Sequence, residues 1–194
     1  LGQEIGRGGM GAILHAVDRF TKREVAYKRL LVRDERSRAR MTALFQREYQ
    51  TLSRLSHPNI VEVYGYGLDA EGPYYAMELL SGDDLTKLAP LPFREACRLL
   101  RDIASALALV HARRLIHRDV SPGNVRITAD GRAKLIDFGA LMPFGKAKEL
   151  VGTPACMAPE SLADAPLDQR SDLFSLGAVA YWLLTRRFAV QAHG

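Results

Sequence analysis

The sequence predicts an α+β chain in two parts: a small antiparallel β-rich lobe over residues 1–80 and a mainly helical one over 81–194. Three observations carry this expectation. Residues 1–31 alternate apolar and polar and are rich in glycine, the pattern of half-buried strands joined by tight turns. Phe93–Arg113 places Ala96, Leu99, Leu100, Ile103, Ala106, Leu107 and Val110 at helical spacing. Ser171–Leu184 is apolar nearly all round, as a buried helix is.

Taken in order, the first 31 residues predict two or three strands. Asp34–Ser56 switches to helical spacing, with Met41, Leu44, Phe45, Glu48, Leu52 and Leu55 near one face. His57-Pro58-Asn59 breaks that helix, and two strands follow at Ile60–Leu68 and Tyr74–Leu80. After the Phe93–Arg113 helix, a loop at 117–124 leads to a hairpin of Val125–Ile127 and Ala133–Ile136, turned by Asp130-Gly131. A long irregular stretch runs from Asp137 to about Asp168 before the last apolar helix.

Composition narrows the function classes. The 194 residues are 47% hydrophobic and 25% charged, which is ordinary for a globular chain. The net charge of +5 is mild, and aromatics are not interleaved with the cations as in a nucleic-acid groove. Two cysteines, Cys97 and Cys156, make no disulfide framework, so a reducing setting is the default. The longest apolar run, near Leu173–Leu184, is too short to span a bilayer, and no membrane segment is expected within the chain.

Three constellations carry chemistry. Gly6-Arg7-Gly8-Gly9-Met10-Gly11 opens into a further strand pattern, not a helix, and Gly11 is followed by Ala12. This disfavours both a dinucleotide fingerprint and a Walker A loop, and leaves a glycine-rich hairpin whose backbone N–H groups can approach phosphates. Lys28, in Val25-Ala26-Tyr27-Lys28, is flanked by apolar positions and needs an anionic partner; Glu48 lies on the core-facing side of the next helix. His117-Arg118-Asp119, then Asn124, then Asp137-Phe138-Gly139 gather two acids and an amide on short loops, a hard-oxygen set suited to Mg²⁺.

In this order and context the motifs resemble the eukaryotic-like protein kinases, in particular the bacterial Ser/Thr type, over nearly the whole chain. Ala158-Pro159-Glu160 and Asp172 in the apolar helix extend the likeness. The resemblance implies a two-lobed kinase-like fold whose last C-lobe helices are missing, so that Glu160 lacks its usual arginine partner and the flanks of the last helix are bare. It further implies ATP and Mg²⁺ as cofactors, a protein substrate, and transfer of the γ-phosphoryl group to a Ser or Thr hydroxyl. Dimerisation is not readable from these residues. The implied setting is cytoplasmic, alone or as the cytoplasmic part of a membrane-tethered protein.

Residue roles follow from the same resemblance. Gly6, Gly8, Gly11, Ile13, Ala26 and Lys28 are expected to contact ATP, with Glu48 holding Lys28 on the α- and β-phosphates. Met77 matches the gatekeeper, Glu78 and Leu80 the hinge that meets adenine, and Arg126 the floor of the adenine pocket. Asp84 matches a ribose contact or, more simply, a helix N-cap. Asn124 and Asp137 are expected to hold the metal, Asp119 to orient the substrate hydroxyl and accept its proton, and Thr153 to contact Asp119.

The departures are equally specific. Ser121 stands where Ser/Thr kinases carry lysine, Arg126 where they carry an aliphatic residue, and Cys156 where they often carry tyrosine. Residues 140–157 contain one hydroxyl side chain, Thr153, so a phosphorylated loop residue captured by Arg118 is not expected; the Glu149 carboxylate is a candidate substitute anion. A pseudokinase that senses nucleotide or scaffolds partners is the alternative these departures leave open. The basic cluster Arg29, Arg33, Arg36, Arg38, Arg40 and Arg47 reads as a solvated face, or less simply as a dock for an acidic partner.

Overall fold

The computed structural model describes residues 2–8, 11–32, 34–163 and 165–190. The chain divides into two compact units, the first running to Ser56 and resuming over Val61–Leu80, the second taking His57–Ile60 and everything from Ser81 onward. Each is described by itself.

In the first unit, β1 (Glu4–Gly8), β2 (Gly11–Val17), β3 (Glu24–Leu30), β4 (Val63–Asp69) and β5 (Gly72–Glu78) form one antiparallel sheet in the order β1-β2-β3-β5-β4. Register brings distant residues side by side: Lys28 lies between Ile13 on β2 and Tyr75 on β5, and Ala26 lies opposite Met77, which also faces Val63. Because side chains alternate along a strand, Ala26, Lys28, Tyr75 and Met77 share a face. The other face holds a small cluster of Ala16, Val25 and Tyr27 with Leu14, Tyr74 and Ala76.

One helix, α1 (Arg38–Leu52), belongs to this unit, preceded by a single 3₁₀ turn at Glu35–Ser37. It starts later and ends earlier than the expected Asp34–Ser56. It buries Phe45, Glu48 and Leu52, while Leu44, expected on that face, is exposed. Phe45 and Tyr49 pack around Tyr75, with ring centroids 5.0 and 5.9 Å apart. Arg29 corrects the expectation of a solvated basic face: it is buried, and bridges Asp69, at 2.6 Å, and Glu71. Arg33, Gly9 and Met10 lie outside the described residues.

The second unit contains α2 (Leu85–Leu88), α3 (Phe93–Ala112), β6 (Leu115–Ile116), β7 (Val125–Ile127), β8 (Ala133–Leu135), β9 (Met142–Pro143), β10 (Gly145–Lys146), α4 (Pro159–Leu162), β11 (Pro166–Leu167) and α5 (Gln169–Thr185). The hairpin β7–β8 turns at Gly131 as expected. The stretch expected to be irregular is instead pinned at short pairings, β9 on β6 and β10 on β11. Asp168 caps α5 by accepting the N–H of Arg170, and the helix ends at Arg186 in a left-handed conformation.

The core follows the apolar stripe of α3, where Ala96, Leu99, Ile103, Ala106, Leu107 and Val110 are buried. Asp102 is buried in the same row and accepts the main-chain N–H of Ala133, tying α3 to β8. His57–Ile60 joins this unit through Asn59, whose side chain donates to Ala133 O and whose carbonyl accepts from Leu135 N, at 2.9 Å each. On α5, Leu173, Phe174, Tyr181 and Leu184 are exposed. No helix among the described residues is long and apolar enough to cross a membrane.

Candidate active site

In the first unit, Lys28 and Glu48 form an ion pair of 2.7 Å with side chains only 5% and 1% exposed. Burying two charges costs more than their attraction returns unless further hydrogen bonds help, so such a pair is poor evidence of a purely stabilising role. Here a further donor exists. The hydroxyl of Tyr75 donates to the same carboxylate oxygen, Oε1, at 2.9 Å, and Oε2 has no hydrogen-bond partner. The sequence offered no signal for Tyr75 beyond strand alternation, which places it in phase with Met77.

Gly6 and Gly8 pair with Ile13 and Gly11 across the β1–β2 hairpin. Gly11 also has a packing reason: a Cβ there would sit 1.9 Å from the Arg29 carbonyl oxygen. Met77 is buried and Glu78 ends β5, its N–H donating to Glu62 O at 2.8 Å. Leu80, two residues on, is also buried.

In the second unit, the loop that carries His117, Arg118 and Asp119 is anchored on Asp172. This carboxylate is fully buried in the first turn of α5, where the helix dipole favours an anion. Its Oδ2 accepts from His117 N and His111 Nε2, both at 2.8 Å, and its Oδ1 accepts from Arg118 N at 2.9 Å. Arg118 takes a left-handed backbone, φ +70°, a conformation disfavoured for any residue with a Cβ. The His117 ring is fully buried against Phe138, at 4.7 Å between centroids, and burial holds its pKa below the ordinary value. Its neutral Nδ1 accepts the N–H of Asp119.

Asp119 is held from two sides. Its Oδ1 accepts both the N–H (2.9 Å) and the hydroxyl (2.8 Å) of Thr153, and its Oδ2 accepts from Asn124 Nδ2 at 2.7 Å. A second Asn124 hydrogen goes to Asp119 O at 2.9 Å. The amide spends its donors on Asp119 and keeps its carbonyl oxygen as a hard donor atom, the chemistry a Mg²⁺ ligand requires. Asp137 follows directly, because Ile136 N donates to Asn124 O at 3.1 Å, and Asp137 Oδ1 accepts from Gly139 N at 3.0 Å. An amide oxygen and a carboxylate therefore lie on adjoining segments, and the donor set fits the metal.

A model of the protein kinase domain matches residues 1–194. The chain belongs to the protein kinase family. It is 37% identical over 193 residues to the DNA damage-responsive serine/threonine-protein kinase RqkA of Deinococcus radiodurans, an alignment covering 91% of this chain and 28% of that protein. It is 34% identical over 191 residues to the serine/threonine-protein kinase PknL of Mycobacterium bovis, covering 94% of this chain and 48% of the relative. The chain thus spans less than half the length of either relative.

Several family positions of this chain carry their own geometry. Asp84 caps α2, its Oδ1 accepting from the Thr86 N–H at 2.9 Å and from the Thr86 hydroxyl, so the simpler reading of that residue is realised. Arg126 lies opposite it on β7, half-buried. Ser121 is buried ahead of the 3₁₀ turn Pro122–Asn124 and supplies no cation. Cys156 is buried, its thiol pushed up to about 11 by burial and then by the charge of Asp119, the reverse of the lowered pKa that activates a thiol. Glu160 accepts from Ser171 Oγ at 2.8 Å.

Arg118 reaches the loop that follows Gly139, donating to the main-chain carbonyls of Ala140, at 3.5 Å, and of Glu149. The hydrogen bond to Glu149 ends on its backbone oxygen.

Proposed function

We propose that this chain is the catalytic part of a protein serine/threonine kinase that transfers the γ-phosphoryl group of Mg·ATP to a Ser or Thr hydroxyl of a protein. The observation that carries the reading is the Asp119 carboxylate, held by Thr153 on one oxygen and Asn124 on the other. A carboxylate so fixed directs its remaining lone pairs along set lines, orients an incoming hydroxyl and takes its proton as the phosphoryl group is transferred.

When bound, Mg²⁺ supplies charge neutralisation at the phosphate oxygens, and Asn124 and Asp137 would hold it. Lys28, paired with Glu48, would neutralise the α- and β-phosphates, and backbone N–H groups near Gly6, Gly8 and Gly11 would cradle them. Ile13, Ala26, Met77, Glu78, Leu80 and Arg126 would bound the adenine, and Asp84 would meet the ribose through the oxygen its cap leaves over. Two free cysteines agree with a reducing, cytoplasmic setting.

Ser121 favours a second reading, a pseudokinase that senses nucleotide or scaffolds partners, because a positioned cation at this point lowers the barrier to phosphoryl transfer. One experiment separates the two. The full-length protein is incubated with Mg·ATP and a generic protein substrate beside Asp119→Asn, which is expected to lower incorporation by at least about 100-fold. Equal incorporation by both proteins would sink the kinase reading; nucleotide binding by the wild type without any transfer would establish the pseudokinase.

A further inference from the structure

Tyr75 is buried with no exposed surface on β5, and its environment is built from α1 and β3. Phe45 and Tyr49 hold its ring, and cross-strand pairing puts it directly beside Lys28. The Lys28 ammonium lies 5.6 Å from the centre of the ring, within range of the attraction between a cation and an aromatic face. Its hydroxyl and the Lys28 ammonium converge on one oxygen of Glu48, while the other oxygen accepts nothing. Three groups from three elements therefore meet at a single atom.

We propose that Tyr75 is a positioning residue for the nucleotide: by donating to Glu48 Oε1 it locks the rotation of that carboxylate, and through it the place from which Lys28 meets the phosphates. The inference rests on the kinase reading above and adds a residue to it. A carboxylate with one donor can swivel and present either oxygen to it. Two donors arriving on the same oxygen, from a rigid aromatic ring and a strand lysine, remove that freedom. Burial raises the phenol far above its ordinary pKa, so it remains a donor across the working pH range. A lysine whose partner cannot swivel is already oriented when the phosphates arrive, so less freedom is lost on binding.

The test uses Tyr75→Phe in the full-length protein, which removes the hydroxyl and keeps the ring. Direct titration with ATP, with and without Mg²⁺, is expected to show binding weakened about three- to tenfold, as for the loss of one hydrogen bond, with the protein still folded and its thermal midpoint lowered by only a few degrees. The ATP KM should rise with binding while kcat falls by less than threefold. In a Lys28→Ala background the same change should do nothing further to affinity, because the residue acts through Lys28, although it should still lower the thermal midpoint by a few degrees. Unaltered ATP binding by Tyr75→Phe, equal weakening with and without Lys28, or loss of folding would each overturn the proposal, the last two by assigning the phenol to stability alone. Nucleotide titration is independent of transfer, so a wild type that binds ATP without phosphorylating protein would fail the kinase reading and leave this one standing.

Discussion

Asp172→Ala is expected to lower the stability of this protein by about 3–5 kcal/mol, the range for removing one partner from a buried charged network. Three donors lose their acceptor at once: the N–H groups of His117 and Arg118 and the ring of His111. The His117 N–H is buried and the Arg118 N–H partly so, and each stranded donor carries a desolvation penalty of up to about 1–3 kcal/mol. The left-handed backbone of Arg118 loses one of the contacts that hold it, so the loop relaxes toward an ordinary conformation and carries Asp119 with it. Denaturant unfolding of the full-length protein measures the first effect. Hydrogen exchange at the amides of residues 117 and 118 measures the second, and protection there equal to wild type would contradict the anchoring role. Asp172→Asn keeps one oxygen acceptor and should fall between the two.

Gly152→Ala is the second large effect. Gly152 has φ +128°, where a side chain costs about 1–3 kcal/mol of backbone strain, and its Cβ would lie 2.6 Å from the carbonyl oxygen of Arg118. That oxygen is backbone of the loop that carries Asp119 and cannot swing away as a flexible side chain would. Relief must come from moving Gly152, whose neighbour Thr153 supplies both donors to Asp119 Oδ1. Phosphoryl transfer should therefore fall by about 100-fold or more, as for loss of a positioned group at the reacting centre, with a smaller loss of stability. Retention of transfer above one-tenth of wild type, in protein that melts at a lower temperature, would show that Thr153 is not what sets Asp119.

Some of this was legible in the residues and some was not, for physical reasons. The Lys28–Glu48 pair could be anticipated because a lysine among apolar strand neighbours cannot stay charged alone, and a glutamate at the buried phase of the next helix is the available anion. Asp119, Asn124 and Asp137 are close in sequence and joined by short loops, so local chain geometry already limits their separation. Leu44 was misplaced because an apolar stripe on a helix tolerates one residue more than its buried face needs. Arg29 was misplaced because the strand pattern turns it away from Lys28, and only the turn after β4, some forty residues on, brings Asp69 and Glu71 to cover it.

The stretch after Asp137 looked irregular because strands of two residues leave no periodicity, and their partners at Leu115–Ile116 and Pro166–Leu167 are remote in sequence. Tyr75 was invisible as more than core, since a tyrosine in phase with buried strand positions is ordinary and its hydroxyl partner sits 27 residues away.

Residues 57–60 carry a consequence of their own. They belong with the second unit, held by Asn59 to β8 and by the Ile60 bridge to Leu135, although the chain on both sides of them belongs to the first. The polypeptide accordingly passes from one unit to the other three times. Neither unit is a contiguous stretch that a single cut could liberate. A protease that severs the chain near residue 80 would still leave a four-residue loop of one product embroidered into the other, tied by Asn59 to β8 and by His57 to Ser105 of α3.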